Sequence, residues 1–411
     1  MSIKAGQILH VAGGFVLDRI QTGGAGNLNI PQERVYELGN YQSVGIVRDI
    51  PDLTFSLDTL DVGTEIEALL AGSTDPGSDA DGTQYDYSAG TPIDIISPWK
   101  SPYGAFGTVR GVAIPQLTLE SVSYKYGLKD NAGETFQLRG DAIYYIPGAP
   151  YRQVEAGDGL TTTFNFDHTA LLYVESGDNL YALNVAVDGV RQKPGDDYTE
   201  TSAGIEFVTA PDSGAVIAIV YGSATLDTHS QAVHEGLSVK PAAIKGKDID
   251  VYFSTDASGS EVEVRWTDVQ SFSADWRATI EDDFEFGNPK AVNRDYTDVP
   301  AVTGTVELKP RSVEAWFTRL QQITGLTSSS QVIGPGTSIT GALRVELRNP
   351  ESGGTTAVAA GTPLKTLYIP SARFTIPGYE GRVQQKLTAT VNFESDDGVM
   401  YVYKGEFPWA S

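Results

Sequence analysis

Polar and apolar residues alternate most plainly between Asp52 and Asp58. Leu53, Phe55 and Leu57 take one face of an extended segment, and Asp52, Thr54, Ser56 and Asp58 take the other. The pattern returns late in the chain, where Val302, Gly304, Val306 and Leu308 oppose Thr303, Thr305 and Glu307. Each run predicts a half-buried strand with one apolar face and one face of hydroxyls and carboxylates. A short helix is expected after each strand: TEIEALLAG follows the first, and SVEAWFTRLQQITG the second. In the second helix Val313, Trp316, Phe317, Leu320 and Ile323 recur at helical spacing, a stripe for packing on a sheet. Pro310 before it and Gly325 after it suit a start and a stop.

The two strands belong to a longer recurrence. Glu37, Gly39, Asn40 and Val44 fall on Glu285, Gly287, Asn288 and Val292, a displacement of 248 residues. After one extra residue, Asp49, Pro51, Thr54 and Asp58 fall on Asp298, Pro300, Thr303 and Glu307, a displacement of 249. Ile20-Gln21 matches Val269-Gln270, and Ser121, Tyr124 and Tyr126 precede Ser371, Phe374 and Ile376 by 250. A nearly constant displacement over collinear matches reads as an internal duplication. Two related units are expected, at residues 1–150 and 248–411, with an insert at 151–223 and a linker at 224–247. The insert has its own texture: VEAGDGLTTTFNF, LNVAVDGVRQKPGDDYTE and IEFVTAPDSGAVIAIVYG are short alternating runs parted by GDG, DG and PDSG turns. That texture predicts a small β-sandwich. The expected fold is therefore mainly β: two tandem antiparallel sandwich or barrel units, each with a short flanking helix, plus an inserted sandwich.

The stretches at 73–107 and 326–362 read as long loops, and loops of that length usually have a use. GGAGN at 23–27 reads as a flexible arm or hairpin tip. It lacks the GxGxxG spacing and the Lys-Ser/Thr of a phosphate loop. Asp79 and Asp81 before Gly82 are spaced like part of a calcium loop, but Gly77 stands at the first ligand position and no Glu closes it. A solvated turn is the expectation there.

Composition removes several function classes. A net charge of -24 opposes gripping nucleic acid, which needs basic patches, while permitting a surface that nucleic acid passes without sticking. With no cysteine, neither disulfides nor thiolate metal sites can form, which fits a reducing cytoplasm. No apolar run approaches a membrane span, and MSIKAGQILHVAGG lacks the apolar core of a signal peptide. The histidines, His10, His168, His229 and His234, lie apart, and His229 with His234 lacks further zinc ligands. No nucleophile elbow is present, and the spacing singles out no carboxylate pair. The expectation is no enzyme, no cofactor and no metal.

At ERVYELGNYQSVGIVRDIPDLTFSLDTLDVG the chain resembles the tail tube (major tail) proteins of long-tailed bacteriophages. An acidic-aromatic segment ends in Gly-Asn, crosses to Asp-x-Pro, and leads into a strand and a short helix. SVSYKYGLKDNAGETFQLRGDAIYYI and SARFTIPGYEGRVQQKLTATVNFES look like that fold's remaining strands, so the resemblance spans most of 16–146 and 250–405. It implies a virion protein, assembled in the host cytoplasm, that stacks as rings around a DNA channel. The implied partners are other copies of itself, double-stranded DNA in transit without specific binding, tail-tip and tail-terminator proteins and the tape measure protein. No membrane is implied. Two units per chain imply a homotrimeric ring with pseudo-six-fold symmetry, with the two loops and the N-terminal arm as stacking elements. An outward insert would obstruct a sheath, which favours a non-contractile tail. The channel wall is expected at Thr54, Ser56, Asp58, Thr303, Thr305 and Glu307, with one carboxylate per unit forming a negative layer. The insert resembles small modules of tail and fibre proteins. Glycans could stack on Tyr151, Tyr173, Tyr181 and Tyr198, or these rings could simply pack. A fibre or adhesin that binds surface glycans is the alternative reading.

Overall fold

A computed structural model describes residues 11–12, 15–17, 20–25, 29, 32–35, 45–48, 51–60, 63–73, 79–99, 110–175, 178–223, 244–254, 264–285, 290–324, 340–350, 361–375, 379–380 and 388–408. The protein is mainly β, and its sheets are antiparallel.

The first part of the chain carries β1 (Val11–Ala12), β2 (Phe15–Val16), β3 (Ile20–Ala25), β4 (Gln32–Val35), β5 (Gly45–Arg48) and β6 (Leu53–Thr59). Helix α1 (Glu65–Leu70) follows, then β7 (Gln84–Asp86), β8 (Ile93–Trp99), β9 (Arg110–Gly127), β10 (Gly133–Gly140) and β11 (Tyr144–Ile146). The middle holds β12 (Ala149–Ala156), β13 (Thr163–Asn165), β14 (Tyr173–Glu175), β15 (Asp178–Leu180) and β16 (Ala182–Val187). It continues with β17 (Val190–Arg191), β18 (Tyr198–Thr201), β19 (Gly204–Phe207) and β20 (Val216–Ser223). The last part carries β21 (Ile249–Ser254), β22 (Val264–Trp266), β23 (Val269–Arg277), β24 (Ile280–Asp283), β25 (Asn293–Tyr296) and β26 (Ala301–Leu308). After α2 (Val313–Thr324) come β27 (Thr340–Arg348), β28 (Pro363–Phe374), β29 (Tyr379–Glu380), β30 (Thr388–Ser395) and β31 (Tyr401–Lys404).

One order of pairing occurs in both the first and last parts. In the first, β1 pairs with β2 and β8, and β9 pairs with β8, β11 and β10. There β10 continues to β6 and β6 to β3, while β4 and β5 form a hairpin. In the last part, β21 pairs with β22 and β27, and β28 pairs with β27, β31 and β30. There β30 continues to β26 and β26 to β23, while β24 and β25 form a hairpin. A seam joins the two: β23 lies along β9 from Ser271↔Gly127 to Arg277↔Ser121. The result is one continuous run of strands, β3-β6-β10-β9-β23-β26-β30, ending on the last residues of β28.

The inward side chains of this run follow from strict period-two patterning. Leu53, Phe55, Leu57, Phe136, Leu138, Val122, Tyr124, Phe272, Trp276, Val302, Val306, Val391 and Phe393 are all buried in one core that spans both parts. Tyr126 and Phe272 stack across the seam with ring centroids 5.8 Å apart, and Phe272 stacks in turn on Phe393 at 6.1 Å. The smallness of Gly304 is required here: a Cβ would stand 2.2 Å from the Ser273 carbonyl and 2.3 Å from the Phe393 ring.

A second link between the parts is ionic. Lys365, on β28, is fully buried and contacts Glu67 on α1 and Glu134 on β10, the latter at 2.7 Å. It also donates to the Gly63 carbonyl at 3.2 Å. Burial alone would lower its pKa, but the Glu134 and Glu67 carboxylates outweigh that and hold the ammonium above the ordinary lysine value.

The inserted strands make a four-stranded sheet, β12-β20-β16-β17, and a three-stranded one, β13-β19-β18, around Val185, Tyr198, Ile205, Phe207, Ile217, Ile219 and Tyr221. This small body is docked on its host. Leu183 and Val220 pack with Ile96, Ala113 and Ile146. Arg191 forms a two-pronged pair with Asp141 at 2.9 and 3.0 Å, and Arg294 reaches the same carboxylate at 2.8 Å. The Ala291 N–H also donates to Asp141 at 2.9 Å. Burial pushes the Asp141 pKa up, but the two guanidiniums and this N–H win and leave it lowered.

Four expectations change. The stretches at 73–107 and 326–362 are not simply loops, because they contain β7, β8 and β27; β27 is buried over seven successive residues, so it shows no alternation. Gly23 and Gly24 belong to the edge strand β3, not to a hairpin tip. Phe317 is 57% exposed, because Trp316 takes the inward direction and the next residue on a helix points about 100° away. The linker at 224–247 ends in ordered structure: Ile244 is buried and its carbonyl accepts from the Ala132 N–H at 2.8 Å. Residues 224–243, 325–339 and 351–360 lie outside the described residues, as do His10, His229, His234 and Ile376.

Candidate functional site

The six residues expected on a channel wall lie on one face of one sheet. Cross-strand partners in an antiparallel sheet point to the same side, so the register traces the face row by row. One row runs Asp58, Thr135, Ser123, Asp275, Thr303, Glu394. The next runs Gly133, Lys125, Ser273, Thr305, Asn392, and a third Gly127, Ser271, Glu307, Thr390. On the other side of the first row stand Ser56, Gln137, Ser121 and Arg277, and Thr54 lies opposite Arg139. Thr54 and Thr303 are exposed, while Ser56, Asp58, Thr305 and Glu307 are half-buried.

Side chains on the face bind one another. Gln137 donates to Ser56 at 2.8 Å, and Ser273 and Thr305 share a hydrogen bond of 2.9 Å. Ser271 donates to Glu307 at 3.1 Å. These contacts fix the hydroxyls of Ser56, Ser271, Ser273 and Thr305 against neighbouring strands.

The charge pattern differs from a single negative layer per unit. Asp58, Asp275, Glu307 and Glu394 share the face with Lys125, Arg139, Arg277 and Arg373. Arg139 is tied to Asp52 at 3.2 Å and to Asp282 at 2.9 Å, and Arg373 to Glu394 at 2.5 Å. Asp52 and Asp282 at Arg139 and Asp396 at Arg373 add further acid, so the described part of this face is mixed in sign with carboxylates in excess. Alternation around Asp58 and Glu307 marked two strands of the sheet; the basic residues sit on β9, β10, β23 and β28, whose register the sequence alone could not supply.

The other candidate residues are structural. Tyr198 is buried, Tyr151 packs edge-on against His168 and Tyr221, and Tyr173 packs on Tyr144 while its hydroxyl donates to the Ala182 carbonyl. Tyr181 packs against the insert's core. Asp79 accepts from Ser73 and Tyr85, each at 2.9 Å. Among the described residues no cluster of three or more His, Asp or Glu could hold a metal ion, and no helix is long and apolar enough to cross a membrane. No protein-family profile matches the chain, and no curated protein matches it.

Proposed function

We propose that this chain is a subunit of a phage tail tube, built from two tandem tube units, and that three chains close into a ring around a DNA channel. The observation that carries the reading is the seam between β9 and β23. It joins the long strand of one part to the first inner strand of the next, side by side in a single sheet. At the two ends of that sheet stand the corresponding strands, β28 and β3. Transferring the seam by the pairing register, in which Gly133 and Lys125 correspond to Thr388 and Glu380, sets Ala25 of one chain opposite Tyr379 of its neighbour, on β29 just beyond β28, and Gly24 opposite Glu380.

Open sheet edges invite further pairing, and a closed ring of strands removes them. Three chains with eight strands each would make a barrel of twenty-four strands, the polar face turned inward and the shared core outward. Small hydroxyls and mixed charges with acid in excess give DNA a wall that does not bind it and repels it only weakly. At about 10 Å in water, two unit charges interact by only ~0.4 kcal/mol before screening.

Electron microscopy of the purified full-length chain tests the proposal. Rings or hollow tubes are expected. Slender trimeric fibres, or monomers alone at high concentration, would overturn it.

A further inference from the structure

A cavity of about 240 Å³ lies where the insert meets the first part of the chain. It is below the ~300–1,000 Å³ usual for drug-sized ligands, which limits an occupant to about one ring. Leu69 and Ile93 from the host and Val216 from the insert supply an apolar wall. Arg152, Gln116 and Asp188 supply the polar one.

The polar groups are held in place by bonds that leave other atoms unused. Arg152 donates through Nε to Asp94 at 2.9 Å, and its two terminal nitrogens have no partner among the described residues. The second oxygen of Asp94 accepts from the Gln116 N–H at 3.0 Å, and the Gln116 carbonyl accepts from Arg294 at 2.8 Å. These bonds hold Gln116 at φ 58 as β9 crosses from one sheet to the other. Asp188, at φ 50 in an Asp-Gly turn, uses Oδ1 to accept from the Val216 N–H at 2.8 Å, and its Oδ2 has no partner among the described residues. Gln116 and Asp188 are the two non-glycine residues with positive φ among those described, and both line this cavity.

We propose that this cavity binds one neutral sugar residue, free or at the end of a glycan. Hydroxyl oxygens accept from the unused guanidinium nitrogens, and hydroxyl protons go to Asp188 Oδ2 and the Gln116 amide. The C–H face of the ring lies on Leu69, Ile93 and Val216. An anion meets Asp188 and the chain's overall negative charge. A wholly apolar ligand strips water from Arg152 without replacing its hydrogen bonds, which is unfavourable. Only a ligand that both donates and accepts, with an apolar face, satisfies the whole lining. The site does not depend on ring assembly.

The test is saturation-transfer NMR of the full chain with free glucose, galactose, mannose, rhamnose and N-acetylglucosamine, each against inorganic phosphate and acetate as competitors. At least one sugar should receive saturation and resist both competitors. Val154→Trp fills the mouth from an exposed position and should abolish the transfer. Asp188→Asn keeps the turn, since Asn tolerates this φ, and should weaken binding about tenfold. No binding by any sugar, equal binding by both variants, or displacement by phosphate or acetate would overturn the proposal.

Discussion

Tyr126 on β9 and Phe272 on β23 stack with their ring centroids 5.8 Å apart and their planes 22° from parallel, across the seam that joins the two parts of the chain. Because that stack belongs to one shared core, neither part is expected to unfold alone. Phe272→Ala should cost about 3–5 kcal/mol, the usual range for emptying a buried phenylalanine site. In urea the unassembled chain should lose signals from both parts at one lower midpoint. Two separate transitions would mean that the parts are independent.

The seam also gives a register for the proposed contact between chains. The natural chain has no cysteine, so Gly24→Cys with Glu380→Cys introduces the only two thiols. A short bifunctional maleimide should produce covalent species that stop at closed trimers on a denaturing gel. Cross-linking confined to single chains, or an unbroken ladder of larger species, would contradict the register.

Lys365 faces two buried carboxylates, so removing its charge leaves both uncompensated. Lys365→Met should destabilise the chain by about 3–5 kcal/mol at neutral pH. The penalty should be largest where both carboxylates are ionised. In the natural chain the stabilisation from the raised lysine pKa is complete below the unfolded value and is lost as pH rises through the folded one. Denaturant midpoints of both proteins across pH check both expectations.

Arg191 is the insert's buried ion-pair anchor, and Arg191→Leu should loosen the insert without unfolding its own sandwich. Hydrogen exchange should quicken at β16, β17 and the Ala291–Arg294 segment, while the amides of β19 and β20 stay protected. The lowered Asp141 pKa contributes stability above the unfolded aspartate value, and that contribution is lost as pH falls through the folded value. Acid should therefore mimic the substitution. Complete deletion of 151–223 would expose Ile96, Ala113 and Ile146, so tubes of the deleted chain should form only if that patch is made polar.

Much of this was legible in the residues. The period-two runs at Leu53–Leu57 and Val302–Leu308 marked their strands and correct faces, because a half-buried strand must alternate. The order of strand pairing recurs in the two parts, but the displacement of 250 read at Ser121–Tyr126 differs from the pairing register, which matches Lys125 to Glu380. What escaped were strands without alternation, such as β8 and β27, buried on both sides. Charges that reach the polar face from strands distant in sequence also escaped, since register between such strands is set by packing. The seam cavity depends on Arg152 meeting Asp94 across 58 residues, and no local pattern announces that.

The polar face gives a prediction for DNA passage. Asp58→Lys with Glu307→Lys leaves the buried core untouched and turns a wall with acid in excess basic. Tubes should still assemble, while DNA ejection should slow most at low salt, where phosphate contacts are strongest. Unchanged ejection kinetics at low salt would mean that this face does not line the channel.

The central claim is that one chain supplies two of six ring positions. Averaged cryo-electron micrographs of assembled rings test it most directly. Three copies of the insert are expected around a barrel of twenty-four strands, with β29 of each chain paired to β3 of the next. Six copies of the insert around one ring, or an open sheet with β3 unpaired, would contradict it.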